Sequence, residues 1–388
     1  MKYIIFTLFS ISIFSISLGQ NYNHSDCATE ATPNIFDQYN MDSLRNAART
    51  QGMDDFSRNI KLFVKIIRED DGSNGVKVHQ KTAATVSSGA FVVGDSIPSL
   101  YEELQSLANY YASHDICFTF VGHEFIDDSY FASNSYWSGT DEEQDTIFDD
   151  LIATYPGPSA NVITAYILPQ DRYFRGRANG IGSKEFVMYA SRFTYPHMAH
   201  EMGHCLNMYH TFETWGGSLV ECPDGSNSSS AGDLVGDTPA DDPSQTWSSF
   251  SCSYTGGNST TCSDGVTRNY NPNTDNIMSY APWTCRDQFT AGQSVRARDL
   301  FLLPSFSNVL VNNVNLTAPT GSISSGYLFR TAELDITTQS SSTTTGMSGS
   351  AVLTYTAGES ITLRPGFVAD PSSSTSYFNA SINTLCGN

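Results

Sequence analysis

The chain has 388 residues, 39% of them hydrophobic and 12% aromatic, so it can bury a sizeable core and disorder is not its default state. Aspartate and glutamate number 40 against 20 lysines and arginines, a formal charge of −20. A surface of that sign repels phosphate backbones and argues against a nucleic-acid partner.

Residues 1–19 read as a signal peptide. Lys2 gives a positive start, Ile4 to Leu18 is apolar with interspersed serines, and Ser17-Leu18-Gly19 supplies small residues before Gln20. The run is shorter than the ~20 residues a membrane span needs, and no later stretch is longer. The expectation is a secreted, extracellular protein with no transmembrane segment in its mature form. Export makes the eight cysteines legible. Cys222, Cys252, Cys262 and Cys285 cluster in Ser/Gly/Asn-rich sequence and read as two disulfides, with three pairings open. Cys27, Cys117, Cys205 and Cys386 are spread widely and their state is open.

Residues 20–58 are polar with a helical pattern, either a pro-segment or an N-terminal extension packed on the next domain. A main domain is expected over 59–316. Its elements begin with a strand at "IKLFVKIIRE" and an amphipathic helix of about 98–114, entered through Pro98 and the serine before Leu100. "ICFTFVGHEF" is a strand, "TDEEQDTIFDDLIATY" a shorter helix, "NVITAYIL" (161–168) a buried strand, and "EFVMYAS" (185–191) another. Residues 213–275 form a long loop that disulfides can hold, and "SVRARDLFLLPSF" (294–306) suggests a closing helix. Over 317–388 the composition turns to Ser/Thr/Gly with alternating apolar residues, a small all-β module.

Between the last strand and the long loop stands "MAHEMGHCLNMYHTF" (198–212). On a helix, His200 and His204 lie one turn apart on the same face and can direct their nitrogens at one Zn²⁺. Glu201, next to the first ligand, can take a proton from a water whose pKa the metal has lowered to about 7. His210 lies about 600° beyond His204 if the helix continues, so the chain must leave the helix first. Asn207 sits at that place, and Asn is the commonest non-glycine residue in the left-handed conformation that ends helices. The stretch therefore reads as helix, stop, turn, third ligand.

"HEMGHCLNMYHTF" resembles the long zinc consensus of the metzincin metalloproteases, and in particular the pappalysin (cytophagalysin/ulilysin-like) family. "DNIMSYAPWTC" is similar to that family's Met-containing turn, and "VGDTPADDP" to its Asp-Thr-Pro segment. The resemblance spans roughly residues 60–310. It implies an α/β (α+β) zincin-type domain with a mixed twisted sheet, an active-site helix of about 196–206 and a backing helix. It also implies zinc on His200, His204 and His210, Glu201 as general base, Met278 as a hydrophobic floor under the metal, and Tyr280 as oxyanion donor. Where the family has glycine, this chain has Asn207. The family pattern further implies the disulfides Cys222–Cys262 and Cys252–Cys285. On this basis the chain is a zinc metalloendopeptidase acting on proteins or peptides, with the edge of the sheet near "EFVMYAS" aligning the substrate by strand addition.

Several features carry alternatives. His197, three residues before His200, is a rival ligand or a first-turn hydrogen bonder. Cys205 points away from a metal and suits core packing or a disulfide. Cys27 precedes the main domain and is either a cysteine switch that blocks zinc in a zymogen, with Arg58 as a cleavage mark, or a disulfide partner. Asp224, Asp233, Asp237, Asp241 and Asp242 make a carboxylate-dense loop that suits Ca²⁺ or is simply solvated. Arg172, Arg175 and Arg177 form a basic patch, a solvated loop or a substrate-facing rim. The C-terminal module resembles β modules at the ends of secreted bacterial proteins and offers surface attachment. The rival function is a catalytically inactive, protease-like surface-binding or adhesion protein, against which the intact Glu201 argues.

Overall fold

The computed structural model describes residues 29, 34–50, 58–83, 96–169, 175–193, 195–214, 220–244, 247, 252–313, 315–318, 322–333, 335–339, 345–365, 367–371 and 377–382. The signal-peptide segment, Cys27, Arg172 and Cys386 lie outside these residues.

A five-stranded sheet organises the main region. Its strands are β1 (Arg58–Arg68), β2 (Ile116–Asp127), β3 (Ile163–Leu168), β4 (Gly176–Ala178) and β5 (Glu185–Tyr189), in the order β2-β1-β3-β5-β4. All pair in parallel except β4, which runs antiparallel along β5 and forms the edge. β5 is therefore internal, and the strand-addition edge expected at "EFVMYAS" is instead β4. Strand β1 is buried along nearly its whole length, as a parallel strand covered on both faces must be. Its alternation separates the two faces. Ile60, Leu62, Val64 and Ile66 join one apolar cluster with Leu104, Leu107, Tyr111 and Met202. Ile67 joins another with Phe148, Leu151 and Tyr166.

The helices flank this sheet. α1 (Met41–Thr50) precedes it and is tied to the closing helix through Arg45, whose guanidinium donates to Asp299 at 2.6 Å. α2 (Leu100–Tyr111) is the backing helix, entered through a Ser99–Glu102 capping box. α3 (Asp141–Thr154) has the equivalent Thr140–Glu143 box on the opposite face. α4 (His197–Cys205) carries the histidine motif, and α5 (Ala291–Asp299) closes the domain behind a Thr290–Gln293 box. The Tyr111 hydroxyl donates to the Ala199 carbonyl at 2.8 Å, fixing α4 on α2.

The C-terminal region is all strands, but its topology is not the hairpin arrangement that alternation usually signals. β6 (Asn315–Ala318), β8 (Asp335–Thr338) and β10 (Ser360–Thr362) form one parallel sheet. β7 (Ser322–Ala332), β9 (Thr345–Ala357), β11 (Phe367–Pro371) and β12 (Tyr377–Ile382) form the other, also parallel. From β6 to β11 successive strands alternate between the two sheets, so the chain coils and needs no helical crossover. The coil packs on the main sheet through Tyr327 and Phe329, whose rings lie 5.8 and 5.6 Å from that of Phe63.

Disulfides join Cys222 to Cys262 and Cys252 to Cys285, the pairing the family pattern implied. Cys117 is also disulfide-bonded, and Cys205 is a free, buried thiol packed toward β5. Arg58, the expected cleavage mark, is buried at the start of β1, with its amide bonded to the Asp115 carbonyl. Among the described residues no helix is long and apolar enough to cross a membrane.

Candidate metal centre and active site

Every residue of α4 is buried, and the helix brings His200 and His204 onto one face. It stops where the sequence expects. Leu206 donates to the Met202 carbonyl, Met208 to the Gly203 carbonyl, and Asn207 between them has φ 67°. This is a left-handed helix exit. Two outside donors hold it: the Gly182 amide on the His204 carbonyl at 2.7 Å, and Arg296 Nε on the Asn207 carbonyl at 2.6 Å. The reversal returns His210 to the helix face.

The three Nε2 atoms form a nearly equilateral triangle. His200 to His204 is 3.2 Å, His200 to His210 is 3.3 Å, and His204 to His210 is 3.1 Å. Ligands ~2.0–2.1 Å from a tetrahedral ion stand about 3.3 Å apart, so the donor set fits zinc. Two of the rings are also held in the right tautomer. His200 Nδ1 donates to the Ile277 carbonyl at 2.7 Å and His204 Nδ1 to the Met208 carbonyl at 2.9 Å, which leaves both Nε2 lone pairs for a metal. Burial, the largest cause, lowers the His204 pKa to about 4 and those of His200 and His210 well below the ordinary value. Neutral imidazoles are the ligating form.

Glu201 is fully buried beside the triad. Its carboxylate lies against Gly176, where any Cβ would collide with it, so the edge strand passes directly over the acid. The Tyr280 ring stands 4.9 Å from His210 and 4.5 Å from Phe212, at the mouth of the site. Met278 is buried against the underside of α4, its sulfur close to Gly203.

The loop aspartates do not form a single cage. Asp224 pairs with Arg268 at 2.9 Å. Asp237 caps the start of α5, accepting from Thr290 Oγ1 and the Gly292 amide, both at 2.8 Å. Asp241 Oδ2 accepts from Thr211 at 2.6 Å and from Ser279 at 2.9 Å, joining the third-ligand segment to the Met-containing turn. Asp242 accepts from Tyr254 and Asn258. Asp233 remains, buried near Glu221, a residue that composition alone does not single out. Its only sequence signal is an acid adjoining Cys222.

The other candidates separate. His197 is buried on the same helix but outside the triad, 6.1 Å from the Trp283 ring, so it is not a fourth ligand. The basic patch divides: Arg177 pairs with Asp145, while Arg175 stacks on Trp283 at 4.6 Å. Cys205 is one residue beyond His204 and faces Ser183 and the Glu185 carbonyl, not the metal centre.

A buried helix with two imidazoles and an adjoining carboxylate, completed by a third imidazole after a left-handed turn, has the make-up of a metallopeptidase site. Residues 185–301, which contain this helix and the Met-containing turn, match the family described as Peptidase_M43: Pregnancy-associated plasma protein-A. This match, confined to that region, supports a metallopeptidase of the pappalysin type. No curated protein matches the chain. Among solved structures it is similar to a promirolysin mutant of Tannerella forsythia, at 14% identity and TM-score 0.42, over 73% of this chain and 96% of that one. It is also similar to mature Tannerella forsythia mirolysin in complex with a cleaved peptide, at 17% identity and TM-score 0.40, over 63% and 92%.

Proposed function

We propose that the protein is a secreted zinc endopeptidase in which His200, His204 and His210 hold the metal and Glu201 is the general base. The observation that carries this is the 3.1–3.3 Å triangle of Nε2 atoms beside a buried carboxylate. Zinc bound there supplies Lewis acidity, polarising the scissile carbonyl and acidifying water. Glu201 takes the proton of the attacking water and delivers it to the leaving amine. Tyr280, at the mouth, donates a hydrogen bond to the developing oxyanion. Met278 shapes the apolar floor. The edge strand β4 aligns an extended peptide by main-chain pairing.

An N-terminal zymogen segment fits the same geometry. The Ala178 amide of β4 donates to Thr29 Oγ1 at 2.8 Å, so residue 29 occupies the edge a substrate would use, two positions after Cys27. Removal of this segment, with or without a Cys27 switch, would open the cleft. N-terminal sequencing of the mature form tests it.

Calcium is proposed at Glu221 and Asp233. Neither oxygen of the buried Glu221 carboxylate has a donor among the described residues, and burial followed by repulsion from Asp233 raises its pKa to about 8. Asp233 accepts from the Val235 amide at 3.0 Å, from Gln293 Nε2 at 3.3 Å and from Thr238. Two buried carboxylates with a neighbouring hydroxyl suit a hard cation.

Casein hydrolysis and zinc content test the catalytic proposal. Glu201→Ala should keep the metal and lose hydrolysis; His210→Ala should lose both. Full hydrolysis by the Glu201→Ala variant removes the proposed mechanism. Peptide binding without turnover by the zinc-loaded parent would favour the adhesion alternative.

A further inference from the structure

Three arginines gather one helical turn from the metal ligands. Arg175, immediately before β4, places its guanidinium 4.6 Å from the Trp283 ring centroid. Arg192, buried in the turn after β5, approaches the same ring at 6.0 Å. Arg286, buried just beyond the Met-containing turn, donates to the Ser279 carbonyl at 2.7 Å. His197 stands among them, one turn before His200 on the same face of α4. It is 3% exposed, and neither ring nitrogen has a hydrogen-bond partner among the described residues. Desolvation, then the positive charges of Arg286, Arg175 and Arg192, push its pKa well below the ordinary value. It is therefore a neutral ring with one N–H to donate. Arg175, Tyr195, Tyr280 and Trp283 keep part of their surface exposed, so a ligand in the cleft can reach the cluster.

The edge strand says which part of a substrate arrives there. A peptide added antiparallel to β4, as β4 is added to β5, runs from Ala178 toward Gly176. Gly176 lies against Glu201, so the reacting bond sits beside it. The residue after that bond then faces Arg175 and the ring of Trp283.

Resting on the peptidase function proposed above, we propose that the pocket bounded by Arg175, Arg192, His197 and Trp283 selects an acidic side chain immediately after the scissile bond. A carboxylate entering it gains charge-assisted hydrogen bonds from planar guanidinium groups, and the neutral imidazole of His197 adds a donor. A lysine or arginine at the same position meets like charge in a partly desolvated site and is excluded.

The test is cleavage of a peptide mixture, randomised on both sides of the scissile bond, by the zinc-loaded mature enzyme. Aspartate and glutamate should be enriched at the position after the bond, with kcat/KM at least about tenfold above lysine and arginine. In Arg175→Glu that ratio should fall or invert, and in Arg175→Lys it should be partly kept. Zinc content and circular dichroism report whether each variant folds; the parental profile decides the matter even if one does not. Cleavage with no acidic preference after the bond, or with the preference only before it, overturns the pocket assignment and leaves the peptidase function standing. Failure of the zinc-loaded protein to cleave any peptide removes both.

Discussion

Gly203 lies so close to Met278 that a methyl group placed on it would come 2.5 Å from the thioether sulfur. The glycine within the histidine motif is thus set by packing from a turn far along the chain. Gly203→Ala should force the Met-containing turn off α4, costing about 1–3 kcal/mol through overpacking. Because Ile277 of that turn orients His200, zinc affinity should fall with Tm. Thermal unfolding with and without added zinc measures both. An unchanged Tm and zinc content would show that the turn can yield.

Asn207 has φ 67°, and neither polar atom of its buried amide has a hydrogen-bond partner among the described residues. Replacing it by glycine removes a conformational cost and an unsatisfied group together. Asn207→Gly should retain zinc and activity and raise stability by about 1–2 kcal/mol. Asn207→Val, with a branched side chain in the same conformation, should lose zinc. Chemical denaturation and metal analysis of the two variants make the comparison; zinc loss from the glycine variant would contradict the turn.

The Glu221–Asp233 pair carries a pH signature. Burial raises Glu221 from 4.5 to about 8 and Asp233 from 3.8 to about 7. Both folded pKa values exceed the unfolded ones, so the unfolded chain ionises first and the folded state holds more protons in between. In calcium-free, zinc-containing buffer, stability should decline as pH rises through about 4 to 8. Calcium should restore it, more at pH 8 than at pH 5, since the ion needs ionised carboxylates. Glu221→Gln should abolish the calcium-dependent rise in Tm. A calcium response that survives in this variant places the ion elsewhere.

Asp241 accepts hydrogen bonds from Thr211 and Ser279 on one oxygen, bracing the segments that bear His210 and Tyr280. Asp241→Ala leaves two buried hydroxyls without their acceptor. A loss of about 2–4 kcal/mol in stability and about 10–100-fold in zinc affinity is expected. Competition with a chromogenic chelator reads the second figure. Unchanged zinc affinity would mean that the brace is dispensable.

The metal helix was readable because its logic is local. His200, Glu201, His204 and Asn207 sit within one helix and its exit, and the family likeness added Met278 and the disulfide pairing. The edge strand was not readable. Gly176–Ala178 is too short for any alternation, and it is a strand only because β5 runs beside it. Arg175 and Trp283 stack across more than a hundred positions, which no periodicity reports. The C-terminal strands announced themselves by alternation, but alternating residues look the same in parallel and antiparallel ladders. The loop aspartates were read by composition, whereas their partners, such as Thr211, Ser279 and Gly292, assign each to bracing or capping.

The acceptors that orient His200 and His204 are main-chain oxygens, from Ile277 and Met208. Peptide oxygens are common to all twenty amino acids, so exchanging the side chain at either position leaves the acceptor itself in place. Mutational drift at these two sites therefore has little leverage over how the imidazoles point. Disturbing them takes a change in the course of the chain: an insertion, a deletion, or a proline that redirects the peptide plane.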